Sequence, residues 1–417
     1  MTASASPAFV GARISTTLPV PARHLLVLLL TAAAFVDMPA LTGIGPLSGM
    51  GALTIVQTAI ALAALLALRV FPQRVVLPLV PYGLFLAWAT LTTVWMPPSF
   101  GGTQNWIVYL LFVVVTLMSG TIVAGSPVVA ERAIDRGVQC IDGIALPIFA
   151  VSLLTGGLPV DGIVQVIGAR GFGLMGLVPL SWHIARWNSG YLRSGVLAWV
   201  WLLAIGLSLS RTATAIALLY MGVALVLHLR WNIRSLFVKA PVMGVATAAV
   251  VVVLARSTPM ADRLFSGDTS IHVGGVAVNA SGRLTIWAKV IESAWTSPII
   301  GQGLGSSMGV ASVFYNIAHP HNDYLRVWHD LGFIGLTLFA VAFGYLVAVL
   351  MRKTERTLNR AEPAGAICLS ALLALSGVLI ACATDNAIIY PFVMAPLGVL
   401  VGAGIGVRTD INRHGSV

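Results

Sequence analysis

Charge is scarce in this sequence. Only 9% of its 417 residues are Asp, Glu, Lys or Arg, against about 25% in an ordinary soluble domain. That shortage excludes a water-surrounded globule as the host for a chain that is 58% hydrophobic. Acid is scarcer than base, with 14 Asp and Glu against 24 Lys and Arg. Cysteine is scarcer still. Cys140, Cys368 and Cys382 all lie in apolar runs, and the last two, on one expected helix, are separated by about 21 Å along its axis, too far to bridge. There is neither a disulfide framework nor a metal-ligand spacing, so nothing calls for a metal or a cofactor. The first apolar run lacks a small-residue cleavage site and reads as a retained span.

What is present is a succession of apolar runs, with a mean hydropathy of +0.93. A membrane span needs about twenty mostly apolar residues. By that measure the runs centre near residues 25–36, 50–68, 76–95, 106–125, 138–156, 172–185, 195–209, 212–228, 238–255, 331–351, 364–384 and 387–407. The expected fold is all-α: a polytopic transmembrane helix bundle of about twelve spans, forming a single integral membrane domain over 1–417. Residues 195–228 decide the parity of everything downstream. As one helix they would be about 51 Å long, against a hydrocarbon core of about 30 Å. Two spans reversing near Ser208-Leu209-Ser210-Arg211 fit better.

A net charge of +10 raises nucleic acid as a partner, but the placement of the charge points to topology instead. With the N-terminus inside, 17 of the 24 basic residues fall on inner connections, the pattern of cytoplasmic loops. There they orient the chain and meet anionic membrane lipid, not nucleic acid. Both termini are then cytoplasmic. The seven basic residues left outside are Arg170, Arg211, Arg256, Arg263, Arg283, Lys289 and Arg326. The long outer loop, 256–330, exceeds what a connector needs. Within it Leu284, Trp287, Val290, Ile291, Ala294 and Trp295 recur at helical spacing, an amphipathic helix at the outer interface. Pro298 ends it, and Gly301, Gly303 and Gly305 follow, expected to let the backbone turn tightly beneath a ligand's sugar or phosphate.

The loop ends on His319-Pro320-His321-Asn322-Asp323-Tyr324, immediately before an apolar helix. Asn322 suits the N-cap of that helix. The positive helix end disfavours imidazolium, so His321 is the candidate general base, with His319 and His329 as bystanders. Tyr324 suits an interface anchor. Arg211 stands at the apex of two apolar helices, where a guanidinium is costly unless used or paired. Arg283 opens the loop helix, and Arg170 precedes Gly171-Phe172-Gly173 at an outer helix end. Guanidinium groups grip phosphate oxygens in pairs, so convergence of Arg211, Arg283 and Arg170 would suit a diphosphate. Salt bridges with Asp161, Asp262, Asp268 or Asp385 are the plainer use of the same arginines.

These residues resemble the O-antigen ligase and O-antigen polymerase superfamily. His321-Asn322-x-x-Leu325, followed by Asp330, Gly332 and Gly335 leading into a span, is similar to that family's hallmark. Leu209-Ser210-Arg211-Thr212 resembles its Ser-Arg motif, and Arg283, Trp287, Pro298 and Gly301-Gln302-Gly303 resemble its Arg-Trp and Pro-x-x-Gly-x-Gly segment. The likeness covers 160–340. In that family the acid after the histidine is commonly Glu where this chain has Asp330, and its Pro-Asn pair is absent around Gly171 to Gly176.

The resemblance implies a metal-independent, inverting membrane glycosyltransferase at the bacterial inner membrane, facing the periplasm. It implies transfer of a glycan from an undecaprenyl-diphosphate-linked donor to a hydroxyl of a glycan or lipid A core acceptor, in lipopolysaccharide or surface polysaccharide biosynthesis. The expected site is His321 as base, Arg211, Arg283 and Arg170 on the diphosphate, and Asn322, Tyr324, Asp330 and Gly332 in support. A polysaccharide or solute transporter is the alternative from another class, and would be expected to hold ionisable groups near mid-membrane.

Overall fold

The computed structural model describes residues 20–34, 49–68, 71–154, 169–231, 270–273, 276–279, 283–315, 319–358 and 363–409. Its helices are α1 (Val20–Ala32), α2 (Gly49–Ala67), α3 (Gln73–Val94, with two short 3₁₀ stretches), α4 (Phe100–Gly125), α5 (Pro127–Leu154), α6 (Ala169–Asn188), α7 (Leu192–Leu207) and α8 (Arg211–Trp231). After a hairpin, β1 (Ser270–Val273) and β2 (Val276–Asn279), come α9 (Arg283–Ala294), α10 (Ser306–Tyr315), α11 (Asp323–Thr357), α12 (Pro363–Ala381) and α13 (Pro391–Gly406).

Every expected span but the ninth falls on one of these helices. The ninth, 238–255, lies outside the described residues, as do Arg256 and Arg263. By length and composition, α3, α4, α5, α11 and α12 are apolar and long enough to cross a membrane, and α2, α7, α8 and α13 contain shorter apolar stretches. Their outward faces are apolar too. Leu66, Leu84, Val196, Leu219, Val226, Val341 and Tyr345 are all exposed, a surface that suits lipid and not water. The expected break between α7 and α8 is present. Leu209 takes a left-handed φ of 58° there, which ends one helix and lets Arg211 begin the next.

The hairpin is the one departure from all-α among the described residues. Its strands are antiparallel, with Ser270 opposite Asn279 and Val273 opposite Val276. Both strands are short runs that include β-branched residues, Ile271 and Val273 in one and Val276 and Val278 in the other, which suit a pleated ladder. The hairpin was overlooked beside the much stronger helical periodicity of its neighbours.

The core is built on close helix contacts. α13 lies along α4 with Gly398, Gly402 and Gly406 turned to it. A Cβ at Gly402 would stand 2.3 Å from the Thr116 carbonyl oxygen, so small residues there let two backbones touch. Ser119 Oγ donates to the Val399 carbonyl at 2.7 Å across the same seam. Several ionisable side chains of α5 and α6 are paired. Asp142 accepts from Trp201 Nε1 at 2.8 Å and meets His183 Nε2 at 3.1 Å, while Glu131 pairs with Arg186.

Candidate functional site

His321, Arg283 and the start of α8 meet around a short connection, 382–390, between α12 and α13. α11 begins beside it. Asn322 caps that helix as expected, its Oδ1 accepting from the Leu325 N–H at 2.9 Å. His321, one residue earlier, has a left-handed φ of 54°, a conformation rare outside glycine. The bend turns the chain sharply into the cap, and the imidazole reaches the connection: Nδ1 lies 2.9 Å from Asn386 Nδ2 and 3.5 Å from Asp385 Oδ1.

Asp323 is the bolt that fixes this geometry. It is fully buried, its Oδ2 accepts from the Ala387 and Ile388 N–H groups at 2.6 and 3.0 Å, and its own N–H donates to the Cys382 carbonyl at 2.7 Å. Its Oδ1 pairs with Arg326 Nη1 at 2.9 Å, both side chains being 0% exposed. Arg326 reaches on to donate to Asn386 Oδ1. Arg326, grouped by sequence with the outward cations, is therefore an internal strut. Tyr324, expected as an interface anchor, donates to the Leu379 carbonyl at 2.7 Å and ties α11 to α12.

The two motif arginines arrive from other directions. Arg283, at the start of α9, donates through Nη1 to the Thr384 carbonyl. Arg211 opens α8 and is half-buried; its neighbour Thr212 shares a 2.7 Å hydroxyl hydrogen bond with Thr384. Thr384 thus joins both arginine-bearing helix starts, two residues from the amide that touches His321. Arg170 lies in the first turn of α6, with its side chain outside the described residues. On the far side of the histidine, Trp287 Nε1 donates to the Pro320 carbonyl at 2.8 Å, so the amphipathic helix α9 holds the loop that carries His321.

Asp330 and Gly332 act one step back. Gly332 breaks α11 with φ 68° and ψ −175°, a region open essentially to glycine alone. The break strands backbone groups, and the 298–303 segment pairs them. Gln302 and Gly303 N–H donate to the His329 and Asp330 carbonyls at 3.0 and 2.8 Å, and the Phe333 and Ile334 N–H donate to the Pro298 and Ile299 carbonyls at 2.8 and 3.2 Å. The Asp330 carboxylate, nearly buried, accepts from the Gly305 and Ser307 N–H groups at 2.9 and 2.8 Å. This corrects the expectation that the Gly-x-Gly-x-Gly run lies beneath a ligand. A Cβ at Gly301 would stand 2.4 Å from the Asp330 carbonyl oxygen, and one at Gly303 2.5 Å from Met96, so these glycines give room to protein neighbours instead. His329 is likewise internal, bonding Ser306 Oγ at 3.1 Å and Ser293 Oγ at 3.0 Å.

Two groups near His321 have displaced titrations. Burial, aided by the charges of Arg326 and His321, pushes His319 down to about 3, leaving it neutral. At Asp385 burial pushes upward, but the His321 ring beside it, the Asn386 N–H hydrogen bond and the nearby Arg283 charge outweigh it and hold the carboxyl below its ordinary range. An anionic carboxylate, an imidazole and a cationic guanidinium so gathered can take up a proton and steady a developing negative charge. Asp385 was expected only as a salt-bridge partner for the arginines, and Asn386 was not expected at all. The only sequence signal was a polar Thr384-Asp385-Asn386 trio inside an otherwise apolar stretch.

Apolar spanning helices around a polar cluster of His, Arg and Asp define a membrane protein with a charged site. Residues 196–340 match the family model described as O-antigen ligase, which supports the likeness to the O-antigen ligase and polymerase superfamily that the motifs in this range carry. No curated protein matches the chain. The matched range takes in α8, α9 and the first half of α11 and stops short of the 382–390 connection.

Proposed function

We propose that the protein is a membrane glycosyltransferase that moves a glycan from an undecaprenyl-diphosphate carrier to an acceptor hydroxyl, as a ligase onto lipid A core or another acceptor or as a polymerase joining repeat units. The observation that carries this reading is the convergence at 384–386, where Arg283 and the first turn of α8 meet Thr384 while His321 meets Asp385 and Asn386. In the proposed reaction His321 takes the proton of the acceptor hydroxyl and the freed oxygen attacks the anomeric carbon. The bond from that carbon to the diphosphate breaks, and its electron pair leaves with the carrier. Arg211 and Arg283, joined in this reading by Arg170, hold the leaving diphosphate, a role that two-pronged guanidinium contacts suit. One displacement inverts the anomeric configuration and needs no metal. Asn322, Tyr324, Asp330 and Gly332 support the histidine through the helix they cap, tie and kink.

We place this chemistry at the periplasmic face of the inner membrane, in a single twelve-span domain whose termini are cytoplasmic and whose 256–330 loop brings the His motif to the site. Purified His321→Ala and Arg211→Ala test the reading by transfer from a lipid-linked donor. Loss of a positioned general base costs about 10²- to 10⁴-fold. Full turnover in both folded variants would overturn the mechanism, and a retained anomeric configuration would overturn single displacement. A transporter is the second reading, favoured by the buried Asp142–His183 pair. Asp142→Asn separates the two, since glycan transfer survives it if the pair only ties α5 to α6.

A further inference from the structure

His321 meets two side chains at one ring nitrogen, and they make opposite demands. The Asn386 amide nitrogen, 2.9 Å from Nδ1, only donates and therefore needs a lone pair there. The Asp385 carboxylate, 3.5 Å from the same atom, only accepts and needs Nδ1–H. Which end of Asn386 faces the ring is decided by Arg326. A guanidinium has donors and no acceptor, and Arg326 Nη2 bonds Asn386 Oδ1, so the NH₂ end must turn to the imidazole. Arg326 cannot swing away cheaply, because it is fully buried and paired with Asp323, which is itself bolted to the Ala387 and Ile388 backbone.

We propose that Asn386, aligned by Arg326, is a positioning residue that sets the tautomer of His321, holding the unliganded ring as Nε2–H until Nδ1 turns from Asn386 to Asp385. The proposal rests on His321 being the base named above. Nδ1 faces the connection, so Nε2 is the nitrogen left for an acceptor hydroxyl, and it can take a proton only with its lone pair free. Reaching that form adds one proton at Nδ1 and removes one from Nε2, both exchanged with water and with no net change. Nδ1–H then donates to Asp385, and the imidazolium formed on proton uptake is balanced by that carboxylate. The other charged or titratable groups at this cluster include His319, Arg326 with its partner Asp323, Tyr390 beside Asn386, and Arg283, which acts through Asp385. The resting ring, being a donor at Nε2, activates no water, so the lipid-linked donor is not hydrolysed while the acceptor place is empty.

The test is nitrogen NMR of the full chain, labelled with ¹⁵N-histidine in lipid nanodiscs at a pH where the ring is neutral. The His321 signals are identified by their absence in His321→Gln. The expected wild-type ring has a proton on Nε2 and none on Nδ1. Asn386→Leu keeps the bulk and donates nothing, so the proton shifts toward Nδ1, a change in tautomer ratio of about fivefold, the worth of one hydrogen bond. A wild-type ring protonated at Nδ1, or an Asn386→Leu ring with the wild-type tautomer ratio, overturns the proposal. Should Asn386→Leu fail to fold, Asn386→Ala gives the same reading, and the wild-type spectrum remains decisive against. Because no substrate is present, a mistaken assignment of His321 as base leaves the spectra as expected and shows instead as full transfer by His321→Ala.

Discussion

Asp323→Asn is the most informative single change in this protein, because the carboxylate it removes serves two masters. One oxygen balances Arg326 at 2.9 Å with both side chains 0% exposed; the other accepts from two consecutive backbone N–H groups of the connection that holds Asp385 and Asn386. Asparagine has the same shape but one acceptor oxygen and no charge. If that oxygen keeps the backbone pair, an NH₂ faces a guanidinium; if it keeps Arg326, an NH₂ faces two N–H groups. Either way a buried cation loses its counter-charge, which costs about 3–5 kcal/mol, or about 10²- to 10⁴-fold in the folded population. The hydrogen-bond losses are part of that figure and are not added to it. Unfolding of the purified protein in mixed micelles of mild detergent and dodecyl sulfate measures the loss. Arg326→Met strands the opposite charge and costs a similar amount, whereas the double variant removes both charges and should lose clearly less than the sum of the singles. Additive losses, or an Asp323→Asn protein within about 1 kcal/mol of wild type, would refute the bolt.

Gly332→Ala should fold poorly and lose transfer, since a side chain at φ 68° and ψ −175° costs about 1–3 kcal/mol and its Cβ would stand 2.1 Å from the Ile299 carbonyl oxygen; a normally folded, active variant would show that the kink is dispensable. His319, held down to about 3, contributes stability that is complete above about pH 6.5 and is lost as the pH falls toward 3, by up to about 1.4 kcal/mol per pH unit. Stability measured against pH should therefore be flatter in His319→Gln, and equal slopes would count against the buried neutral ring. Arg283→Lys keeps the charge but not the two-pronged geometry, so donor transfer should fall at least about tenfold with the fold intact, read as turnover of a lipid-linked donor by purified protein; unchanged turnover would mean that Arg283 only supports Thr384.

Most of what is local in the chain was legible before any coordinates. The spacing of Leu284, Trp287, Val290 and Ile291 marked α9, Asn322 was readable as a cap because capping is a short-range hydrogen bond, and the limited length of a span forced the break at 208–211. What could not be read was the meeting of residues 321 and 386. Sixty-five positions separate them, and nothing in apolar periodicity says which helix end lies beside which. The Asp323–Arg326 pair shows the other kind of failure. Its spacing of three is that of helix neighbours, but Arg326 had been counted by its side of the membrane and not by its nearest acid. The glycine run misled for a similar reason: a backbone that must be approached closely looks the same in sequence whether the visitor is a ligand or another helix.

The splice at Gly332 has a mechanical consequence. Because 298–303 supplies the hydrogen bonds that α11 lacks at its break, that segment and the helix are one rigid piece, and the Asp330 carboxylate extends the piece to Ser307. A door hinged there could open only by severing the longest helix among the described residues in its first third, leaving four of its backbone groups without partners. Any movement that admits a substrate to the proposed site therefore has to leave this stretch intact.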